Sequence, residues 1–221
     1  MAASEVPWLG ARLREERLKR GISLRSLARE VGVSASMVSQ IETSKSQPSV
    51  STLYAITSAL GISIEDVFAP PQEVAGEVSG DAGAPASVAA AGGNGRTVET
   101  LEGRRRLRRG PVVRPDDRQV LVLDSGVTWE LLGELPSYPA EFLRVTYPPG
   151  STSSSNGGLM RHSGSEFGFM LSGELILTLG FEEYRLQPGD AFSFESSTPH
   201  AYRNEGSEPA VGVWFVIEGN H

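Results

Sequence analysis

The chain has 221 residues, 39% of them hydrophobic, which suits one or two ordinary globular cores. It has no cysteine, which excludes a disulfide framework and any thiolate metal site and suits a reducing cytosol. The net charge of −7 weighs against a nucleic-acid partner until it is located: residues 1–69 carry 8 Lys+Arg against 7 Asp+Glu, residues 70–109 carry 6 against 5, and residues 110–221 carry 6 against 15.

The acid therefore lies in the C-terminal half, and the N-terminal part is free to approach phosphates. No apolar run approaches the ~18 residues of a membrane span. The N-terminus lacks the basic-then-apolar order of a signal peptide. The expectation is a cytoplasmic protein with no membrane partner.

Helical periodicity comes first. Trp8, Leu9, Leu13 and Leu18 make one apolar face, and Leu24, Leu27, Ala28 and Val31 a second. Val38 and Ile41 mark a third helix, Leu53, Ile56 and Leu60 a fourth, and Ile64, Val67 and Phe68 a short fifth. Ser23, Ser34, Ser49 and Ser63 each precede one of these patterns as N-caps. Gly21, Gly32 and Gly61 follow as left-handed C-terminal residues. Residues 1–69 are thus expected to form one five-helix domain. Its second helix spans about Leu24 to Val31 and its third about Ala35 to Thr43.

Residues 70–95 are rich in Ala, Gly, Ser and Pro and lack aromatics, which predicts a flexible linker. Arg104, Arg105, Arg106, Arg108 and Arg109 form a basic run, read as a solvated edge. From about residue 119 to 217 the period becomes that of strands. Gln119–Leu123, Glu141–Tyr147, Glu166–Leu171, Leu175–Leu179, Ala191–Phe194 and Val211–Ile217 are short β-rich runs between turn signals. A β-sandwich or barrel over residues 96–221 is expected.

In the helical part, Leu27, Ala28, Val33, Val38 and Ile41 fall where the second and third helices meet. Ala35, Ser36, Ser39 and Gln40 are left on the outer face. This block resembles the helix-turn-helix of the XRE, or phage-repressor-like, family over about Leu9 to Phe68. The matching residues include Leu27-Ala28, Gly32-Val33-Ser34, Val38-Ser39-Gln40-Ile41-Glu42 and Pro48-Ser49. The resemblance implies binding to a double-stranded DNA operator. Ala35, Ser36, Ser39 and Gln40 would then face base edges. Ser23, Leu24, Ser44 and Lys45 would lie near phosphates, and Ser34 belongs to the same DNA-binding set. Gln40 is the strongest base reader, because its amide can bond adenine bidentately. A helical bundle with an unused surface is the alternative.

The C-terminal part resembles the cupin superfamily, a double-stranded β-helix. His162, Glu166 and Gly173 stand at the spacing of the first cupin motif, with Met160 in the place of its first histidine. Pro188-Gly189-Asp190, Pro199-His200 and Asn204 match the second motif. Alternation along one strand from residue 160 would bring His162 and Glu166 to one face, with His200 opposite. Two imidazoles and a carboxylate suit one divalent ion, Fe, Mn, Ni or Zn; the alternative is that His162 and His200 are neutral, hydrogen-bonded pocket residues that contact an organic ligand or each other. Met160, a soft thioether, leaves three ligands at best. Met160, Gly168, Met170 and Tyr202 share the inward parity and are expected to line an effector pocket. Phe167, Phe169 and Leu171 face the other way, toward a sheet or dimer interface. Trp129, Trp214 and Phe215 are read as core or interface.

These features predict a two-domain α + β chain. It reads as a DNA-binding transcriptional regulator whose cupin senses a small molecule or metal and forms a homodimer. An Fe(II)-dependent cupin oxygenase or epoxidase with a vestigial helical domain is the alternative.

Overall fold

The structure, a computed structural model, describes residues 4–69, 112–135 and 138–217. The expected linker over 70–95 and the arginine run fall outside the described residues.

Five helices form where serines and glycines bracket the apolar repeats: α1 (Leu9–Lys19), α2 (Leu24–Val31), α3 (Ala35–Glu42), α4 (Val50–Leu60) and α5 (Ile64–Phe68). The hydroxyls of Ser23, Ser34, Ser49 and Ser63 accept from the backbone N–H groups of Ser26, Met37, Thr52 and Asp66. Each satisfies a helix-start donor that would otherwise lack a partner. Gly32 sits at φ 78° and turns the chain between α2 and α3. Leu13, Leu27, Val38, Ile41, Leu53, Ile56 and Leu60 are each at most 2% exposed and form the helical core.

Two further contacts set the position of α3. Arg17 of α1 grips Glu42 of α3 through two charged hydrogen bonds, Nε to Oε1 at 2.6 Å and Nη2 to Oε2 at 2.8 Å. Gly10 lets α1 approach closely, since a Cβ there would stand 2.2 Å from the Ile41 carbonyl oxygen. Leu18 departs from expectation. It is 57% exposed, because α1 spends its inward face on Leu9, Leu13 and Arg17.

The strands are β1 (Ser4–Glu5), β2 (Gln119–Val122), β3 (Thr128–Leu135), β4 (Tyr138–Tyr147), β5 (Ser165–Ser172), β6 (Leu175–Leu179), β7 (Glu182–Leu186), β8 (Ala191–Glu195), β9 (His200–Arg203) and β10 (Ala210–Ile217). One sheet runs β1-β2-β3-β4-β10-β5-β8 and a second runs β7-β6-β9. Along β4, β5 and β10 the residues alternate inward and outward. Leu143, Val145, Glu166, Met170, Trp214 and Val216 point inward and are buried. Gly173, at φ 71°, passes so close to Pro209 that a Cβ would stand 2.3 Å from its carbonyl oxygen.

The helical and β parts touch directly. Strand β1 pairs in parallel with β2, and Val6 N–H donates to Val120 O at 2.8 Å. Asp124 N–H donates to Pro48 O and Ser51 N–H to Ser153 O, both at 2.9 Å. The chain's first described strand therefore belongs to the β part, not to the helical domain expected over 1–69.

Candidate functional site

Glu166 leaves β5 inward and is 2% exposed. His200 opens β9 and is fully buried. His162 comes from the segment before β5, not from an extended strand continuous with it. Met160 reaches the same place by pairing with His200: Met160 N–H donates to His200 O at 2.8 Å and His200 N–H to Met160 O at 3.0 Å. The three side chains converge as the spacing implied, but the expected single-strand route is replaced by a turn and an isolated bridge.

Glu166 Oε1 lies 2.8 Å from His162 Nε2 and 2.9 Å from His200 Nε2. Candidate ligand atoms of the three residues all lie within 4.8 Å of one another. Tyr202 donates its hydroxyl to the other oxygen, Oε2, at 2.7 Å. Burial alone would raise the Glu166 carboxyl. The two histidines outweigh burial and bring it down to about 2. Tyr202 is pushed well above its ordinary value by burial and by the Glu166 charge, so it stays a proton donor.

The outer nitrogens of both histidines face backbone carbonyls. His200 Nδ1 lies 2.8 Å from Thr198 O and His162 Nδ1 lies 3.2 Å from Ser163 O. With an ion held at the triad, each Nδ1–H would donate to its carbonyl and leave the Nε2 lone pair for the ion. Without one, His162 Nε2–H donates to Glu166 Oε1 at 2.8 Å, since a carboxylate only accepts. Carbonyl-held histidines are the usual support of a metal. The triad fits a divalent ion.

A cavity of about 20 Å³ adjoins Glu166, lined among others by Met160, Tyr202, Trp129, Trp214 and, from α4, Val50 and Tyr54. Met160 and Tyr202 line it. Met170 is fully buried and is not part of its wall. Trp129 and Trp214, expected in core or interface, are buried and form cavity wall as well. Trp214 Nε1–H donates to the Tyr202 hydroxyl at 3.4 Å. Phe215 points outward instead.

The second candidate surface is on α3. Ser36 and Gln40 are exposed, and Ala35 and Ser39 are half-buried beside them. Ser23, Ser34, Ser44 and Lys45 are exposed and Leu24 half-buried. Ser23 and Ser34 use their hydroxyl oxygens as caps, which leaves each O–H free to donate. Ser44 takes a left-handed conformation at φ 55°, and Lys45 N–H closes on Gln40 O at 2.8 Å. Met37, 43% exposed between Ser36 and Gln40, was not singled out by the sequence. Only its mismatch with the apolar repeat signals that it faces out.

Residues 13–67 match the family model described as helix-turn-helix, and residues 143–216 match the one described as cupin domain. The chain joins an XRE-type helix-turn-helix domain to a cupin domain. Along nearly its whole length it is similar to the HTH-type transcriptional regulator PuuR of Escherichia coli K12, at 26% identity over 96% of this chain and 93% of that protein. It is also similar to the HTH-type transcriptional regulator SutR of the same organism, at 24% identity over 91% and 89%. Among solved structures, an HTH_3 family transcriptional regulator from Vibrio cholerae shares the fold, with a TM-score of 0.60, 22% identity and 97% of each chain covered. No helix among the described residues is long and apolar enough to cross a membrane.

Proposed function

We propose that the protein is a DNA-binding transcriptional regulator, and that its cupin domain makes DNA binding conditional on a bound metal and a small effector. The carrying observation is the outward face of α3. Ser36, Met37 and Gln40 are exposed on a helix whose other side is locked into the core. A major groove admits such a helix, with Gln40 placed for adenine and Met37 for a thymine methyl. The Ser23 and Ser34 hydroxyls, the Leu24 N–H at the α2 N-terminus and the Lys45 ammonium supply phosphate contacts. The regulators that match along the whole chain support the same reading.

One helix-turn-helix buries too little DNA surface for strong specificity, so a dimer is required. The cupin's outer sheet face offers the surface. Phe142, Phe215 and Phe167 stand in register across β4, β10 and β5, with Phe169 and Leu171 beside them, all exposed. A row of aromatics on a sheet face is an interaction surface, and a second copy of it is the self-complementary partner. Such a regulator works in the cytoplasm, where its operator lies.

His162, Glu166 and His200 would hold one divalent ion, Fe, Mn, Ni or Zn. Such an ion supplies a positive charge and open positions for an effector's oxygen or nitrogen. An iron oxygenase would use the same trio. The surface of α3 favours the regulator, because an enzyme with a vestigial helical domain has no need of it.

The test is selection of duplexes from a random library by the full-length protein. The expected product is an inverted repeat with half-sites about one helical turn, ~34 Å, apart. Failure to enrich any sequence, together with sustained oxygen uptake by the Fe(II)-loaded protein, would reverse the ranking.

A further inference from the structure

Tyr54 belongs to helix α4 of the DNA-binding domain, yet its side chain is held inside the cupin's site. Its ring stacks on His162, with centroids 4.1 Å apart and planes 1° from parallel. It leans on Trp129 at 5.6 Å. Its hydroxyl donates to Glu141 Oε2 at 2.9 Å. Glu141 is 2% exposed. The aromatic faces and the carboxylate thus surround a phenol.

Tyr54 also divides the space around it. The cavity of about 20 Å³ beside Glu166 lies on one side. On the other side a cleft of about 140 Å³ runs between the domains, lined by Thr57, Ser58 and Ser63 from the helical domain and by Glu141, His162 and Ser163 from the cupin. Tyr54 lines both. The inner space admits at most a water or so. An organic ligand therefore reaches Glu166, or an ion held there, only when Tyr54 moves.

We propose that the cupin's effector site is built jointly by the two domains, that Tyr54 occupies it as a built-in stand-in, and that its ligands are small planar compounds carrying a ring hydroxyl. A molecule that displaces Tyr54 inherits its surroundings: a flat face on His162, an edge on Trp129 and the carboxylate oxygen that accepts the Tyr54 hydroxyl. A ring hydroxyl keeps that charged hydrogen bond and an apolar ring forfeits it, so the apolar ring is the poorer substitute. Among the described residues no Lys or Arg lines either space. Displacement acts on the whole helical domain, because Ser51, three residues before Tyr54, holds the cupin through Ser153 O. Ligand and docked helical domain compete for one place, which is the unequal binding to two states that regulation requires. The consequence for DNA rests on the regulator reading; the competition itself does not.

Hydrogen exchange on the full-length protein tests this without DNA, so it fails or succeeds separately from the regulator reading. Segments carrying the Ser51 and Asp124 amides, both of which donate across the domain boundary, report docking. Tyr54→Ala is expected to speed their exchange about tenfold. In the parent the probe 4-methylphenol should speed exchange of the same segments by displacing Tyr54, and in the variant it should restore protection by refilling the site. Toluene, which has the ring without the donor, should restore much less. Unchanged protection in α2 and β10 shows that both domains remain folded. If Tyr54→Ala unfolds, Tyr54→Phe, which removes only the hydroxyl, should still speed the same two segments severalfold. Unaltered exchange in these variants, no effect of 4-methylphenol on the parent, or equal rescue by toluene and 4-methylphenol, would overturn the proposal.

Discussion

Replacing Arg17 by methionine tests how the fold places helix α3. The side chains of Arg17 and Glu42 are 7% and 4% exposed, and their two charged hydrogen bonds join α1 to the end of α3. A third, from Nη1 to Ile22 O at 2.8 Å, fastens the turn before α2. Arg17→Met leaves Glu42 buried without its counter-ion, which costs about 3–5 kcal/mol. That is a large share of the ~5–15 kcal/mol that holds a domain together. The double variant Arg17→Met/Glu42→Leu removes the stranded charge and should recover most of the loss, returning to within about 1–2 kcal/mol of the parent. Urea unfolding followed through Trp8, whose indole donates to Phe68 O at the foot of the same helices, reads both values. The reasoning is refuted if the single variant loses less than ~1 kcal/mol, the worth of an exposed ion pair. It is equally refuted if the double variant is no better than the single.

Other outcomes follow from the same geometry. Gly10→Ala should cost about 1–3 kcal/mol in the same unfolding assay, since the new Cβ meets a backbone oxygen that cannot swing aside. Native mass spectrometry of untagged protein should show one divalent ion per chain, lost in Glu166→Gln and in His200→Ala. Affinity for that ion should fall on acidification, because protons compete for the imidazole nitrogens. Glu166 takes no part in that competition until far lower pH. Its carboxyl is depressed from 4.5 to about 2, so its stabilising charge is fully present above the ordinary value and is lost only as pH falls toward 2. Phe215→Glu on the outer sheet face should convert a dimer to a monomer in sedimentation, and an unchanged mass would remove that face as the interface.

Much of the helical domain was legible because its signals are local. Four serines cap four helices, each with the hydrogen bond its position implied. Gly32 turns the chain where the two central helices part. The convergence of His162, Glu166 and His200 was legible too, through spacing. Long-range features were not. Tyr54 looks like an ordinary interior aromatic of α4, and nothing near it announces partners 87 residues away in Glu141. Strand β7, Glu-Glu-Tyr-Arg-Leu, has four exposed residues in a row and therefore no alternation to detect. It is held instead by pairing with β6 and by an ion pair of its Glu183 to Arg203 of β9. Trp129 and Trp214 are large and apolar, which foretells burial but not that they enclose the space beside Glu166.

The central claim is that α3 reads DNA, and Gln40 is where that claim is most exposed. Binding of the full-length protein to its selected duplex should be measured over a range of salt, for the parent, Gln40→Ala and Lys45→Ala. The account predicts that Gln40→Ala weakens binding by about 1–3 kcal/mol and relaxes preference at one base pair, with the salt slope unchanged. Lys45→Ala should weaken binding to all sequences alike and lower the slope by about one. If both variants bind with the affinity, preference and salt dependence of the parent, α3 is not the DNA-reading surface and the account fails.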